Sequence, residues 1–216
     1  LPFDKKGPYR FDIIPYVVGK GNPFADEDAL WCERTYYVHR NIGPENNSYC
    51  CLAKNFKKKC PICEEIARLN RSGGDPELIK SLKPSERQLW NVKDLNDPDK
   101  GIMVLDQSNF LFGALIDAKV AAADDEDHYE NYFHLEGGYT LKITVDQDSF
   151  GGRTFYKATN IEMKERKNDY DDSIIVDACC LDDCLVELTY AELKKIFLQE
   201  GDDTEDSDDD EPSTNH

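Results

Sequence analysis

The sequence predicts a mostly-β fold with a few inserted helices. Strand-like runs rich in β-branched and aromatic residues recur along the chain, and turn-forming residues separate them. Many short strands with occasional helices suit a small Greek-key barrel of the OB type better than a parallel, doubly wound sheet. Of the 216 residues 39% are hydrophobic, which is enough for one sizeable core. The sequence has no apolar run of about 18 residues, so we expect no membrane span.

Five runs are predicted as strands. They are YRFDIIPYVV (9–18), RTYYVH (34–39), RQLWNVKDL (87–95), GIMVLD (101–106) and YTLKITVD (139–146). The last run alternates regularly, which places Leu141, Ile143 and Val145 on one face. Gly151 and Gly152 follow it and predict a hairpin turn.

Helical periodicity appears in three places. It is seen in EEIARLNR after the CPIC sequence at 60–63, in QSNFLFGALIDAKVAAA, and in TYAELKKIFLQ near the C-terminus. The last helix opens with Thr189 and Glu192 in capping-box spacing, and it carries Tyr190, Leu193 and Phe197 on one stripe.

Charge is distributed unevenly along the chain, whose formal net charge is −18. Residues 1–100 carry 17 Lys+Arg against 15 Asp+Glu, residues 101–199 carry 9 against 20, and residues 200–216 carry none against 9. The last segment has no apolar side chain to bury, and its carboxylates repel one another, which predicts disorder. We therefore expect a folded core over 1–199 and a disordered acidic tail over 200–216. The tail is either a solubiliser or an interaction segment that competes with a polyanion for a basic groove or recruits partners.

Eight cysteines fall into two groups and one isolated residue, Cys32. The first group contains Cys50, Cys51, Cys60 and Cys63, and the second contains Cys179, Cys180 and Cys184. A CxxC pair with a third cysteine and a histidine nearby indicates a structural zinc site in a reducing compartment, although buried free cysteines are the common alternative. The second group lacks a nearby histidine and CxxC spacing, so we expect its members to be core cysteines.

Four zinc ligands are predicted from the first group and from the histidine upstream of it. Cys60 and Cys63 supply one pair, and His39 with Cys51 (or Cys50) supplies the other. Because adjacent side chains of an extended segment point to opposite faces, only one of Cys50 and Cys51 should bind. We favour Cys51 and expect Cys50 to pack in the core. A redox role for the CxxC pair is disfavoured, since the pair does not lie in a βαβ context.

A run of lysines with one aromatic ring lies between the cysteines. It consists of Lys54, Phe56, Lys57, Lys58 and Lys59. Lysines neutralise phosphates and an aromatic ring stacks on any base, and this combination is typical of proteins that bind single-stranded nucleic acid. The alternative is a solvent-exposed loop whose lysines only offset the charge of nearby carboxylates.

Three further segments pair aromatic rings with cations. Their candidate DNA-binding residues are Arg34, Tyr36 and Tyr37; Arg87 and Trp90; and Phe150, Arg153, Phe155, Tyr156 and Lys157. Alternate side chains of a strand face inward, so about half of these rings should belong to the core. An acidic chain needs a local basic groove to bind a polyanion, and we infer such a groove from these segments.

Several of these motifs follow one another in a specific order. A His, a Cys and CPIC with its helix are followed by LWNVKDLNDP, by KGIMVLDQSNFLFGAL, by LEGGYTLKITVDQDSFGGRTFYK and by the acidic tail. In this order the sequence resembles the single-stranded DNA-binding, helix-destabilising proteins of T-even-type tailed phages. The resemblance covers roughly residues 9–165 and the tail.

The resemblance implies an OB-fold core with an inserted structural zinc module at about 38–72. It also implies sequence-nonspecific coating and protection of single-stranded DNA during phage DNA replication, recombination and repair, in the cytoplasm of the infected bacterial host. By position, one Zn²⁺ would be held by His39, Cys51 (or Cys50), Cys60 and Cys63. Phe56, Trp90 and Phe150 fall at or near family aromatic positions, whereas Arg153 stands near a position where the family has an aromatic ring.

The resemblance further implies partners for the two ends of the chain. The acidic tail would recruit phage replication and recombination proteins, and self-association on DNA would use a basic N-terminal segment that the present sequence does not contain.

Two other function classes fit less well. A zinc-stapled acidic interaction protein, a DNA mimic that binds a DNA-processing enzyme, would explain the charge but leaves the lysine run without a role. An enzyme is disfavoured because the sequence has no nucleophile elbow, phosphate-binding glycine loop or HExxH motif.

Overall fold

The computed structural model describes residues 3–124 and 126–199, apart from the side chains of Phe150 and Arg153. Nine strands lie in this range: β1 (Gly7–Ile14), β2 (Tyr16–Val17), β3 (Leu30–Trp31), β4 (Glu33–Ile42), β5 (Asn47–Cys50), β6 (Ser85–Asp94), β7 (Ile102–Ser108), β8 (Tyr139–Phe150) and β9 (Arg153–Glu165). Six α-helices accompany them: α1 (Leu52–Phe56), α2 (Pro61–Ser72), α3 (Pro76–Leu82), α4 (Gly113–Ala121), α5 (Ile174–Asp177) and α6 (Tyr190–Leu198). The predicted tail, 200–216, lies outside the described residues.

Seven of the strands form one antiparallel sheet. Its order is β5-β4-β6-β1-β8-β9, and β7 pairs with β6. Strand β6 organises this sheet, since it pairs with β4 through residues 85–90 and with β1 through residues 91–94. Among the described strands no pairing joins β9 to β5 or β7, so the sheet is open. The predicted mostly-β class with inserted helices is confirmed, whereas closure into a barrel is not observed.

The long hairpin β8–β9 carries much of the main core. Leu141, Ile143 and Val145 are fully buried on one face, as their alternation predicts. Burying each such side chain contributes about 1.5–3 kcal/mol. The turn at Gly151 and Gly152 has φ values of +58° and +75°, which suit glycine in a two-residue hairpin.

Helix α6 confirms its predicted start. The Thr189 side chain accepts from the backbone N–H of Glu192, and the Glu192 carboxylate accepts from the N–H of Thr189. Leu193 of its apolar stripe is fully buried, whereas Tyr190 is exposed and donates to Glu64. No helix of the described chain is long and apolar enough to cross a bilayer.

A second core lies beneath the cysteine cluster. Leu52, Ile62, Leu69, Ile79, Leu82 and Leu193 are buried there. They come from α1, α2, α3 and α6, so the packed unit extends beyond the predicted 38–72 segment. Helices α1 and α3 were not predicted. The start of α3 could have been, because Asp75 is its N-cap and Pro76 occupies its first position.

Candidate metal centre and adjoining basic surface

The cluster is assembled from one strand and the starts of two helices. His39 lies in β4, just before an irregularity in its pairing with β5. Cys51 is the N-cap residue of α1, and Cys60 is the N-cap residue of α2. Pro61 starts α2 and fits there because its missing N–H would have no helical partner. Cys63 follows in the first turn, so the CxxC spacing turns both thiols toward one point.

His39 is held in one orientation. Its Nδ1 lies 2.7 Å from the carbonyl oxygen of Leu82, which can only accept, so Nδ1 carries the proton and donates. The other ring nitrogen, Nε2, therefore presents its lone pair to the thiols. This outer hydrogen bond is the usual way in which a protein fixes a metal-binding imidazole.

The separations fit a tetrahedral metal ion. Zinc bonds of about 2.3 Å to sulfur and about 2.0–2.1 Å to nitrogen place neighbouring ligands about 3.8 Å apart for S···S and about 3.5 Å for N···S. The Sγ atoms of Cys51 and Cys63 are 3.5 Å apart. His39 Nε2 lies 3.5 Å from the Sγ of Cys60 and 3.6 Å from that of Cys63. All four ligand atoms lie within 4.8 Å of one another, so this set could hold a metal ion.

Burial and mutual hydrogen bonds shift the pKa values of His39, Cys60 and Cys63. Burial disfavours charge on His39, but hydrogen bonds to the thiols of Cys51 and Cys60 raise the pKa of His39 to about 9. Hydrogen bonds from the thiols of Cys51 and Cys63 hold the pKa of Cys60 far below the usual range. Hydrogen bonds to Cys51 and Cys60 raise the pKa of Cys63. The pocket thus favours a thiolate at Cys60, which is the form of cysteine that binds a metal ion, and His39 would bind through Nε2 once the proton on that nitrogen is released.

Of the two adjacent cysteines, Cys51 and not Cys50 belongs to the cluster. Cys50 pairs with Val38 in the sheet and packs, half-buried, against a separate apolar cluster, whereas Cys51 lies in the metal centre. The expected convergence of His39, Cys51, Cys60 and Cys63 is therefore observed. The prediction for the second group is wrong, because Cys179 and Cys184 are exposed and Cys180 is only half-buried.

The segment that carries Cys51 also holds β4 at Tyr37. The backbone N–H of Cys51 donates to the carbonyl of Tyr37 at 2.8 Å. Asn55 of α1 makes two 2.8 Å bonds to the N–H and the carbonyl of the same residue. As a result Lys54 lies over the Tyr37 ring, with Nζ 4.3 Å from the ring centre.

An aromatic neighbour completes this arrangement. The ring of Phe24 lies 6.2 Å from that of Tyr37 and is 46% exposed. We call Phe24, Tyr37 and Lys54 the aromatic–cation cluster. Sequence analysis missed Phe24, because no cation flanks it in the sequence.

The remaining lysines of the run are exposed in the turn between α1 and α2. Lys57 ends α1 in the left-handed conformation, and the N–H of Lys58 donates to the carbonyl of Leu52. The Lys58 side chain forms an ion pair with Glu187, while Lys57 and Lys59 form no ion pair within the described residues. Phe56 is half-buried and packs against the second core.

A groove with a volume of about 780 Å³ runs along the face of β4 and β6 that lies opposite the core. Arg40 and Arg87 line it, and Asp106 is the one carboxylate among its described lining residues. Partial burial and, to a smaller extent, the neighbouring Arg87 lower the pKa of Arg40. Tyr49 is a further lining residue that sequence analysis missed.

Residues 178–188, here called the crossing segment, form one wall of this groove. Leu188 lines both the groove and the depression beside Lys58 and Lys59. The two arginines and the exposed lysines therefore adjoin one continuous surface.

Three predicted DNA-binding residues are corrected by their burial. Trp90 is fully buried and packs edge-on against Phe112, 5.0 Å between ring centres, so it cannot stack on a base. Arg34 is buried and forms an ion pair with Asp182. Tyr36 is buried, and its hydroxyl donates to Asp106.

The other predicted residues lie apart or are already paired. Arg87 lines the groove but forms an ion pair with Asp106 at 2.9 Å. In the β8–β9 hairpin Lys157 pairs with Asp148, Tyr156 packs against the main core and Phe155 is half-buried. The side chains of Phe150 and Arg153 lie outside what the structure describes.

Comparisons with known proteins add no assignment. No protein-family model matches the chain, and a search of curated proteins gives no match either. The phage resemblance therefore stays a prediction that rests on the order of motifs quoted above.

Proposed function

We propose that this protein binds single-stranded DNA without sequence preference and that a structural zinc ion organises its binding surface. The aromatic–cation cluster is the observation that carries the proposal. It brings together an exposed ring, a second ring and an ammonium group beside β4, and the backbone of Cys51, a candidate metal ligand, donates to Tyr37 there. Rings that stack on bases and cations that neutralise phosphates are the two components of sequence-tolerant single-strand binding.

The proposed strand would pass from this cluster along the exposed lysines Lys57, Lys58 and Lys59. The groove with Arg40 and Arg87 would continue the same path. Zinc fits the proposal because a set of three Cys and one His is a common structural zinc set. It also stabilises a helix as short as α1, which would be marginal alone.

We extend the proposal to the biological setting that the resemblance implies. The open sheet would serve as an OB-type core, and the protein would coat and protect single-stranded DNA in phage replication, recombination and repair inside the infected host. The acidic tail would recruit replication and recombination partners or compete with DNA for the basic surface.

A pair of matched tyrosine variants tests the proposal. Binding of fluorescent oligo-dT is measured by anisotropy for Tyr37→Leu and, as a control, for Tyr129→Leu, a half-buried ring in an acid-rich loop. We expect Tyr37→Leu to weaken binding by about 1–3 kcal/mol through lost stacking, and Tyr129→Leu to leave it unchanged. Tyr37→Phe keeps the ring and loses only the hydroxyl that donates to Glu86, so it should bind like the parent protein.

The outcomes separate the candidate functions. Equal losses in the two leucine variants would remove the assigned role of Tyr37. Failure of the parent protein to bind any single strand at low salt would overturn DNA binding and favour the acidic interaction protein.

A further inference from the structure

A second basic surface lies on the outer face of β1, β6, β8 and β9, apart from the metal centre. Register places Lys93, Asp12, Thr140 and Lys164 side by side in one row across the four strands. The next row contains Arg10, Lys142 and Glu162. We call these two rows, with Arg166 and Lys167 at their edge, the outer basic face. It carries six cations and three carboxylates, counting Glu165 of β9.

The buried carboxylate of this face does not offset the surface cations. Asp12 is 1% exposed, and it accepts from Thr140 at 2.6 Å and from Tyr170 at 2.7 Å. The guanidinium of Arg166, itself buried, lies 3.7 Å from the Asp12 carboxylate. This internal pair fixes the chain after β9 against the sheet and leaves the exposed cations to face solvent.

The arrangement of the exposed cations brings like charges close together. Arg10 and Lys142 lie directly opposite each other on antiparallel strands, where like charges destabilise a sheet. Glu162 is shared between Lys142 and Lys164 at 3.4 Å each, and Arg10 forms no ion pair within the described residues. An anion bound between Arg10 and Lys142 would relieve this repulsion.

A cavity lies beside Arg10, although Lys142 is not among its described lining residues. It has a volume of about 480 Å³, and its charged lining residues are the cations Arg10, Lys93, Lys164, Arg166 and Lys167 and the carboxylates Asp12 and Glu165. The Nε–H of Arg166 is buried and lies 3.7 Å from the Asp12 carboxylate, within an ion pair but too far for a hydrogen bond. The Tyr170 ring lies beneath Lys93, with Nζ 5.2 Å from the ring centre.

Phosphate suits this geometry better than a single carboxylate. Neighbouring strands are about 4.8 Å apart and successive rows about 6.8 Å apart, so the cations form a regular array that matches a chain of repeated charges. Arginine forks bind phosphate oxygens in pairs. We propose that the outer basic face takes the sugar–phosphate backbone of one part of a single strand, while bases of another part of the same strand are held at the aromatic–cation cluster. This inference rests on the proposed function and adds a second contact surface to it.

The test compares two double variants on two lengths of DNA. Arg10→Ala/Lys142→Ala removes the facing pair, and Lys80→Ala/Lys83→Ala removes two exposed lysines of the α3 region as a control. Affinity for oligo-dT of about 16 and of about 4 nucleotides, which span the range of known single-strand site sizes, is measured against salt concentration. On the long strand we expect the slope of log K against log salt to flatten by about 1.4 for the first variant, about 0.7 for each lost phosphate contact. On the short strand, and for the control, the slope should not change.

Folding is checked separately. Because the first variant removes a repulsion, its melting temperature should equal or exceed that of the parent protein. If it fails to fold, Lys164→Ala/Lys167→Ala removes two other cations of the same face and replaces it in the comparison. An unchanged slope on the long strand, or an equal change in the control, would overturn the inference.

A probe without bases keeps this result distinct from the proposed function. Inorganic polyphosphate is titrated into ¹⁵N-labelled full-length protein, and amide shifts are followed on β1 and β8. Shifts next to Arg10 and Lys142 would support phosphate recognition by this face even if oligo-dT bound nowhere. Absence of shifts on β1 and β8 would overturn it, whatever the fate of the proposed function.

Discussion

The two groups of cysteines each contain an adjacent pair, Cys50–Cys51 and Cys179–Cys180, but they differ in burial and in their neighbours. Cys51, Cys60 and Cys63 converge with His39 in a buried cluster. Cys179 and Cys184 have Sγ atoms 3.5 Å apart, yet both are exposed, and no metal-binding cluster includes them in the described chain.

The difference lies in what carries the thiols. The first group uses the starts of two helices, where side chains three residues apart share a face, and a strand supplies a fourth ligand with a fixed ring. In the second group only Cys184 lies in a 3-10 turn, Leu181–Cys184, while Cys180 is its N-cap and Cys179 precedes it, and no histidine or second element joins them in the described cluster. Close cysteine spacing therefore produces a buried four-ligand cluster only under two conditions. Regular secondary structure must orient the thiols, and a distant segment must supply the remaining ligand.

The largest effect is expected from the metal centre. Cys60→Ser should lose the bound metal and unfold the second core, since metal binding and local folding share one free energy, about 10–16 kcal/mol in zinc-finger peptides. Cys184→Ser should change the free energy of unfolding by no more than about 0.5 kcal/mol. Metal analysis and urea unfolding measure both. A parent protein whose unfolding curve ignores a strong chelator would contradict the assignment.

The next largest effect is expected at the Arg34–Asp182 ion pair. This pair holds the crossing segment, which carries the second group of cysteines, against the sheet. Asp182 approaches the buried Arg34 Nε to 2.5 Å and accepts from the N–H of Gly19 at 2.9 Å. Asp182→Ala leaves the Arg34 charge buried and unpaired, and it should cost about 3–5 kcal/mol in thermal or urea unfolding.

The adjacent carboxylate provides the control for this pair. Asp183 is exposed, so Asp183→Ala should stay within about 0.5 kcal/mol. Replacing both charges, as in Arg34→Met with Asp182→Leu, should restore most of the loss, because no buried charge then remains. Equal costs for Asp182→Ala and Asp183→Ala would show that the segment is held by other contacts.

Sequence predicts the convergence of His39, Cys51, Cys60 and Cys63 well because its information is local. The CPIC sequence and a helix start fix two thiols, and strand parity leaves one choice between Cys50 and Cys51. The hairpin β8–β9 is equally local, with alternating Leu141, Ile143 and Val145 and a glycine turn.

The errors concern faces that distant segments cover. Trp90 and Arg34 lie in strands with flanking cations, and a strand offers only two faces. Trp90 is buried because Phe112, the N-cap residue of α4, packs against it and Ile116 of α4 lies in the same core cluster, and Arg34 because the crossing segment, about 150 residues away in the chain, supplies Asp182. The outer basic face was missed for the same reason, since β1, β8 and β9 bring Arg10, Lys142 and Lys164 together only through register.

The smallest effect, on reactivity and not on stability, sharpens the comparison of the two groups. With metal bound, iodoacetamide should modify Cys179 and Cys184 in the native protein and reach Cys51, Cys60 and Cys63 only after chelation, which peptide mapping can follow.

Partial burial and a hydrogen bond with Cys179 raise the pKa of Cys184 to about 12. Only the thiolate reacts, so Cys184 modification should keep rising as pH increases past 9, where an ordinary thiol with a pKa of about 8.5 levels off. Cys179→Ser removes the thiol that raises this pKa, so the curve for Cys184 should move to lower pH, while burial keeps it above that of a free thiol. A Cys184 curve that levels off near pH 9 in both proteins would show that the two exposed thiols do not interact, and the second group would then be three independent cysteines.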